Sequence, residues 1–256
     1  MLRTMWIDVV DLRDFYASPL GQAARRMIRR KIRAMWPDTK GQRILGLGYA
    51  APYLDGFREE ADRVIAAMPA RQGVLRWPAQ GGGQATLVDE LELPFPDLSM
   101  DRIVIVHALE CAEQIGPLMR EVWRVLSDSG RLMVIVPNRS GLWARFERTP
   151  FGFGRPFSPR QLSHLLRESM FTPLTTERAL YMPPFRTALL VRSAPAWERA
   201  GGVMWGSFAG VVMMEAVKQI YAATPAAQER RRSYISLPQG HGAAGRSGLT
   251  TRQGKP

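Results

Sequence analysis

Two short apolar runs and the amphipathic segment between them set the pattern of this chain. Ile103-Val-Ile-Val106 and the run Arg131-Leu-Met-Val-Ile-Val136 lack polar alternation and are rich in β-branched residues, the mark of strands covered on both faces. Between them, Ile115, Leu118, Met119, Val122, Val125 and Leu126 recur at the helical period and predict a helix over 115–126 lying on a sheet. Asp128-Ser-Gly130 supplies the turn that follows. Strand, loop, helix, turn, strand is a βαβ unit, so the sheet is parallel and the crossover right-handed. Ligands of such sheets bind at the carboxyl ends of the strands, which directs attention to His107–Glu110 and Pro137–Asn138.

The same reading extends in both directions. Arg43-Ile-Leu45 is a predicted strand leading into the loop Gly46-Leu-Gly-Tyr-Ala-Ala-Pro52, and Arg63–Met68 is a second strand. Upstream, Pro19–Trp36 reads as a helix in which Met27, Ile28, Ile32, Met35 and Trp36 interleave with basic residues. Downstream, Arg139–Arg148 is an amphipathic segment, and Thr149–Phe157 is a loop that combines Phe151, Phe153 and Phe157 with two glycines and Arg155. Ser158 is the predicted N-cap of a helix over 159–169, with Pro159 favoured at its first position. Phe171–Leu180 and Val211–Val217 are late strands; the connection between them carries Trp197 and Trp205, with a helix predicted over 194–200.

Composition narrows the class. The chain has 256 residues and 46% apolar content, enough for one sizeable α/β core. It divides into an N-terminal helical segment (1–40) packed on the domain, an α/β domain (41–222) and a basic tail (223–256) expected to be disordered, because no apolar periodicity follows Leu237. The single cysteine, Cys111, excludes a disulfide framework within one chain and favours a reducing compartment, hence the cytoplasm. No signal peptide is visible, and no run of about 18 apolar residues exists to span a membrane.

The net charge of +12 comes largely from arginine, with lysine only at positions 31, 40, 218 and 255. Arg25, Arg26, Arg29, Arg30, Lys31 and Arg33 crowd the N-terminal helix. Two readings stand: a solvated basic face, or a surface that contacts RNA or another anionic partner, with the basic tail as a second contact.

The ordered residues Asp89, Leu93-Pro-Phe-Pro-Asp97, Ser99-Met-Asp101 and Leu109-Glu110-Cys111 lead through Arg120-Glu-Val-Trp-Arg-Val-Leu126 to Asp128-Ser-Gly130. In that order they resemble the class I S-adenosylmethionine-dependent methyltransferases, especially the small-molecule "type 11" branch. The resemblance spans roughly Gly41 to Lys218 and is most specific over the unit from 103 to 136. It implies a doubly wound, mostly parallel seven-stranded sheet of the Rossmann-like methyltransferase fold, with the last strand antiparallel. It also implies S-adenosyl-L-methionine as cofactor and methyl transfer to an unidentified acceptor, a small molecule by preference.

Carried onto this sequence, the family's cofactor loop is degenerate. The acid that ends the first strand falls on Gly46, the first glycine on Gly48, the second on Ala50 and the third on Pro52. The acid that holds the ribose hydroxyls falls on Met68. The implied cofactor-binding set is therefore Gly46, Gly48, Tyr49 and Ala50 at the amino-acid end, Met68 at the ribose, Asp89, Glu90 and Leu91 around the adenine, and His107. Asn138, Phe151, Phe153 and Arg155 are candidates for a lid over the substrate, since aromatics with glycine hinges suit a cover that excludes water; a packed loop at the sheet edge is the other reading.

His107 is the candidate catalytic group. In-line methyl displacement needs alignment above all, and an imidazole serves where the acceptor must lose a proton near neutral pH. His164 and His241 offer nothing comparable, and no His/Cys/Asp/Glu spacing matches a metal site. The loss of two acids and two glycines keeps a rival open: a non-catalytic scaffold or regulatory protein with an eroded cofactor site.

Overall fold

The structure is a computed structural model whose described residues are 6–185, 193, 194, 196–198, 201 and 206–220. The predicted tail lies outside them, as does part of the helix predicted over 194–200. All described residues belong to one compact unit, Met1–Ala222.

Seven strands form one sheet in the order β3-β2-β1-β4-β5-β7-β6. They are β1 (Arg43–Gly48), β2 (Arg63–Pro69), β3 (Ala85–Val88), β4 (Met100–Val106), β5 (Leu126–Pro137), β6 (Phe171–Ala179) and β7 (Val211–Lys218). Strands β1 to β5 pair in parallel, and β7 runs antiparallel between β5 and β6. This is the doubly wound methyltransferase fold with a reversed last strand. It arises because the strands carry apolar residues on both faces. Ile44, Met68, Val104, Val106, Met133 and Met213 join one core cluster, while Leu45, Leu47, Ile103, Ile105, Val134 and Met214 join the other.

The second face is covered by α4 (Ile115–Val125) and α5 (Pro159–Glu168). Helix α5 starts with a capping box in which Ser158 accepts from the Gln161 amide and Gln161 answers the Ser158 amide. The first face is covered by the N-terminal helices and by α3 (Ala51–Leu54).

Three expectations need correction. The first strand does not end at Leu45 but runs to Gly48, so Gly46 is a strand residue and the loop begins at Tyr49. Strand β5 begins at Leu126, not after a turn at 128–130, because that segment is already extended, with Leu126 paired to Met100. The N-terminal region holds two helices, α1 (Val9–Ala17) and α2 (Pro19–Met35). Asp8 caps α1 through the Val10 amide at 2.7 Å. Ser18 closes α1 and caps α2 through the Gly21 amide at 3.1 Å. A Cβ on Gly21 would lie 1.9 Å from the Phe15 carbonyl oxygen, so the elbow can close only around glycine.

On α2 the apolar stripe of Leu20, Ala24, Ile28 and Ile32 is buried and the arginines point outward, Arg33 to Glu60 at 2.5 Å; Lys31 pairs with Glu177 at 2.8 Å. Two of the six basic residues, Lys31 and Arg33, thus have acidic partners within the chain. Among the described residues no helix is long and apolar enough to cross a membrane.

Candidate functional site

The carboxyl ends of β1, β2 and β4 converge under α1. Gly48 pairs with Val106, and the Tyr49 amide donates to the Val106 carbonyl at 2.9 Å. Gly48 adopts φ +85°, and a Cβ there would sit 2.2 Å from the Val106 oxygen. Its glycine is therefore required by the approach of β4. At Gly46 a Cβ would meet the Ala50 Cβ at 2.6 Å and a Leu54 methyl at 2.7 Å. No side chain fits there, and an acid least of all.

At the end of β4 stands His107, 1% exposed and in the left-handed region at φ +53°. Its Nε2 lies 2.8 Å from the Tyr16 hydroxyl, which also meets the Tyr53 hydroxyl at 2.7 Å. Its Nδ1 faces Glu110 Oε1 at 3.3 Å. Its carbonyl accepts from Gln72 Nε2 at 2.9 Å, and its ring packs 4.9 Å from Phe151. Glu110 is 1% exposed, and neither carboxylate oxygen takes a hydrogen bond. The His107 ring is the polar group that faces that carboxylate.

Three phenols complete the cluster. Tyr16 stacks on Tyr49 with ring centroids 5.6 Å apart and meets Tyr53 edge-on. Burial, then the neighbouring Tyr53, Tyr49 and Glu110, push the Tyr16 phenol well above its ordinary value. Burial also raises Tyr53, and pushes Tyr49 up to about 12. All three are neutral near pH 7 and act as hydrogen-bonding groups rather than as phenolates.

The structure thus brings Gly46, Gly48, Tyr49, Ala50, Met68 and His107 together in one buried cluster at the strand ends. Asp89 stands apart: it is exposed and its Oδ1 accepts from the Leu91 amide at 2.9 Å, with Glu90 buried and Leu91 half-buried beside it. Of the lid candidates, Phe151 is buried between His107, Phe15 and Trp143. Phe153 packs partly buried on the same core, and Arg155 is exposed. Asn138 is buried, and its amide donates to the carbonyls of Ser207 and Ala209.

Gly154, at φ +73°, lets the loop pass Glu110, whose carbonyl accepts the Arg155 amide at 2.8 Å. These contacts make the segment a packed loop in this conformation. Cys111 is buried, and burial raises its thiol, which argues against a nucleophile. Among the described residues no group of three or more His, Cys, Asp or Glu is placed to hold a metal ion.

Tyr16, Tyr53 and Gln72 lie outside the residues to which the sequence points, whereas Glu110 belongs to the strand end that it singles out. Tyr16 carried a usable signal, since Val9, Leu12 and Tyr16 keep a helical spacing. The acids at positions 8, 11 and 14 broke the apolar pattern and hid it.

The residues at the strand ends do not fit S-adenosylmethionine in this conformation. Where the fold places the cofactor, α1 lies with Val9, Leu12 and Tyr16 buried in the core cluster that also holds Met68, Tyr49 and Val106, and Tyr16 stacks on Tyr49. The Val9 amide donates to the Gln72 carbonyl at 2.8 Å, which ties the start of α1 to the loop after β2. A cleft of about 600 Å³ lies on the outer side of α1, between Asp11, Asp14, Phe15 and the 147–153 loop.

Comparison with known proteins agrees with the fold. The sequence model of the methyltransferase domain matches residues 45–134. A SAM-dependent methyltransferase from Thermotoga maritima, described as a possible histamine N-methyltransferase, aligns at 14% identity and TM-score 0.58 over 82% of this chain and 96% of its own. The 1,6-didemethyltoxoflavin-N1-methyltransferase of Burkholderia thailandensis, solved with 1,6-didemethyltoxoflavin and S-adenosylhomocysteine bound, aligns at 17% identity and TM-score 0.51, covering 81% of this chain and 82% of its own. The [4+2]-cyclase SpnF aligns at 20% identity and TM-score 0.55, covering 78% and 84%. No curated protein matches the sequence.

Proposed function

Because residues 45–134 are a methyltransferase domain, through which the chain belongs to the class I S-adenosylmethionine-dependent methyltransferases, we propose that it methylates a small-molecule acceptor in the cytoplasm. The observation that carries this reading is the His107–Glu110 pair at the end of β4, buried and next to the cofactor loop. A buried carboxylate facing one ring nitrogen orients the imidazole, which suits a group that takes a proton from an acceptor. In this reading His107 is the base, Glu110 positions it, and Tyr49 with Gly48 borders the amino-acid end of the cofactor. Phe151 and Phe153 close the acceptor side.

Support for a small acceptor comes from the basic face of α2, which is partly neutralised by Glu60 and Glu177 and so is poorly suited to read nucleic acid. The names of the Thermotoga and Burkholderia neighbours point the same way.

The test is calorimetric titration with S-adenosylhomocysteine, followed by methyl transfer from labelled S-adenosylmethionine to a panel of small amines and phenols. Binding with His107-dependent transfer supports the reading. No binding at millimolar ligand overturns it and leaves a non-catalytic scaffold. The scaffold reading has its own observation: the acid positions are Gly46, where no side chain fits, and Met68, which is fully buried. The cyclase among the neighbours also shows that this fold is not confined to methyl transfer.

A further inference from the structure

We propose that α1 is a built-in competitor of the cofactor, a plug that occupies the carboxyl ends of β1, β2 and β4 and must leave before S-adenosylmethionine can bind. The inference rests on the function proposed above and adds its regulation. Three kinds of contact hold the plug. Val9, Leu12 and Tyr16 are buried in the core cluster that contains Met68 and Val106. The Tyr16 hydroxyl lies within hydrogen-bond reach of both His107 Nε2 and Tyr53, and its ring covers Tyr49, so the candidate base and the cofactor loop are sealed by one side chain. The Val9 amide and the Gln72 side chain form a bridge from α1 through the loop after β2 to the His107 carbonyl.

The plug also has a hinge. Ser18 ends α1 and starts α2 with extended backbone, φ −68° and ψ 156°, and Pro19 cannot donate a hydrogen bond across the elbow. Helix α1 can swing there while α2 stays packed by Ile28 and Ile32. The outer side of α1 carries Asp11 and Asp14 and faces the 600 Å³ cleft, so outward movement meets open space rather than packed core. A ligand that binds only the open form is weakened by the fraction of molecules that are open, and anything that favours the open form tightens it. The missing ribose acid fits this device, because Met68 serves the closed form as an apolar seat for the plug.

A reversible lock tests the proposal. A Cβ built on Gly73 lies 3.7 Å from the Val9 Cβ, a separation that suits a disulfide. The double variant Val9→Cys/Gly73→Cys is titrated with S-adenosylhomocysteine oxidised and then reduced; both forms share one sequence, so any strain at Gly73 enters both arms. The expected result is binding by the reduced form and at least tenfold weaker binding by the oxidised form. Leu12→Ala, which loosens the plug, should bind at least tenfold more tightly than the wild type, and α1 amides should exchange faster when ligand is added. Equal binding by the oxidised and reduced forms overturns the plug and leaves the methyltransferase reading intact. Weaker binding by Leu12→Ala, with the lock having no effect, makes α1 part of the cofactor site and likewise overturns it. No binding by any form removes both readings.

Discussion

Replacing Met68 by aspartate restores the acid that members of this fold use at the end of the second strand, and its outcome follows from what surrounds that residue here. Met68 is 0% exposed, its Sδ lies 3.5 Å from the Leu75 amide, and it shares a core cluster with Val9, Leu12 and Tyr16. Losing its packing costs about 2–3 kcal/mol, the worth of a buried apolar side chain. A carboxyl group left there without a partner adds at least about 2 kcal/mol. The closed form should therefore lose roughly 4–6 kcal/mol, a large share of the ~5–15 kcal/mol that holds a domain. Urea denaturation with and without S-adenosylhomocysteine measures this. Without ligand the midpoint should fall steeply. With ligand at about 100 times its Kd the variant should regain about 2.7 kcal/mol, and should bind more tightly than the wild type, because the new carboxylate reaches the ribose hydroxyls once α1 is displaced. Unchanged stability without ligand would refute the reasoning, since it would mean that the end of β2 is open to water and that α1 does not seal it.

Three further outcomes are expected. Tyr16→Phe removes the hydroxyl shared by His107 and Tyr53 and should cost about 1–3 kcal/mol in chemical denaturation, the penalty for leaving buried polar groups unpaired. Gly48→Ala places a Cβ 2.2 Å from the Val106 oxygen at φ +85°, so the strands must separate, and its thermal midpoint should fall further than that of Gly82→Ala, where nothing lies within 4 Å. Arg43, through hydrogen bonds from its guanidinium and backbone, holds Asp101 below the usual carboxylate range. A lowered folded value means that the pair stabilises fully above the ordinary carboxylate pKa of about 3.9 and is lost as pH falls through the folded value. Asp101→Asn should accordingly flatten the acid limb of a stability-against-pH curve below about pH 4 and leave its slope near neutrality unchanged.

The chain itself carries the order of its elements. The runs at 103–106 and 131–136 and the helical period over 115–126 specify a parallel βαβ core, because burial on both faces demands continuous apolar residues, while the reversed direction of the late strand at 211–217 is what the family resemblance implies. The run from Asp89 to Glu110 places His107 at a strand end for the same reason: a parallel sheet presents its functional residues at one edge. Local pattern also exposes the degenerate loop, since glycines and acids are either present or not.

What lies over that edge is a different matter. The segment at 9–17 is short and acid-rich, and its three buried residues match the face of a helix only once α1 has a surface to meet. Why Gly46 must stay glycine depends on Ala50 and Leu54 curling back, and Gly48 on the approach of β4. The sharing of Tyr16 between His107 and Tyr53 joins residues 91 and 37 positions apart in the chain. The periodicity of a segment records which of its faces is apolar. The partner that face meets is chosen by long-range packing, and here that choice laid the chain's own first helix across the strand ends.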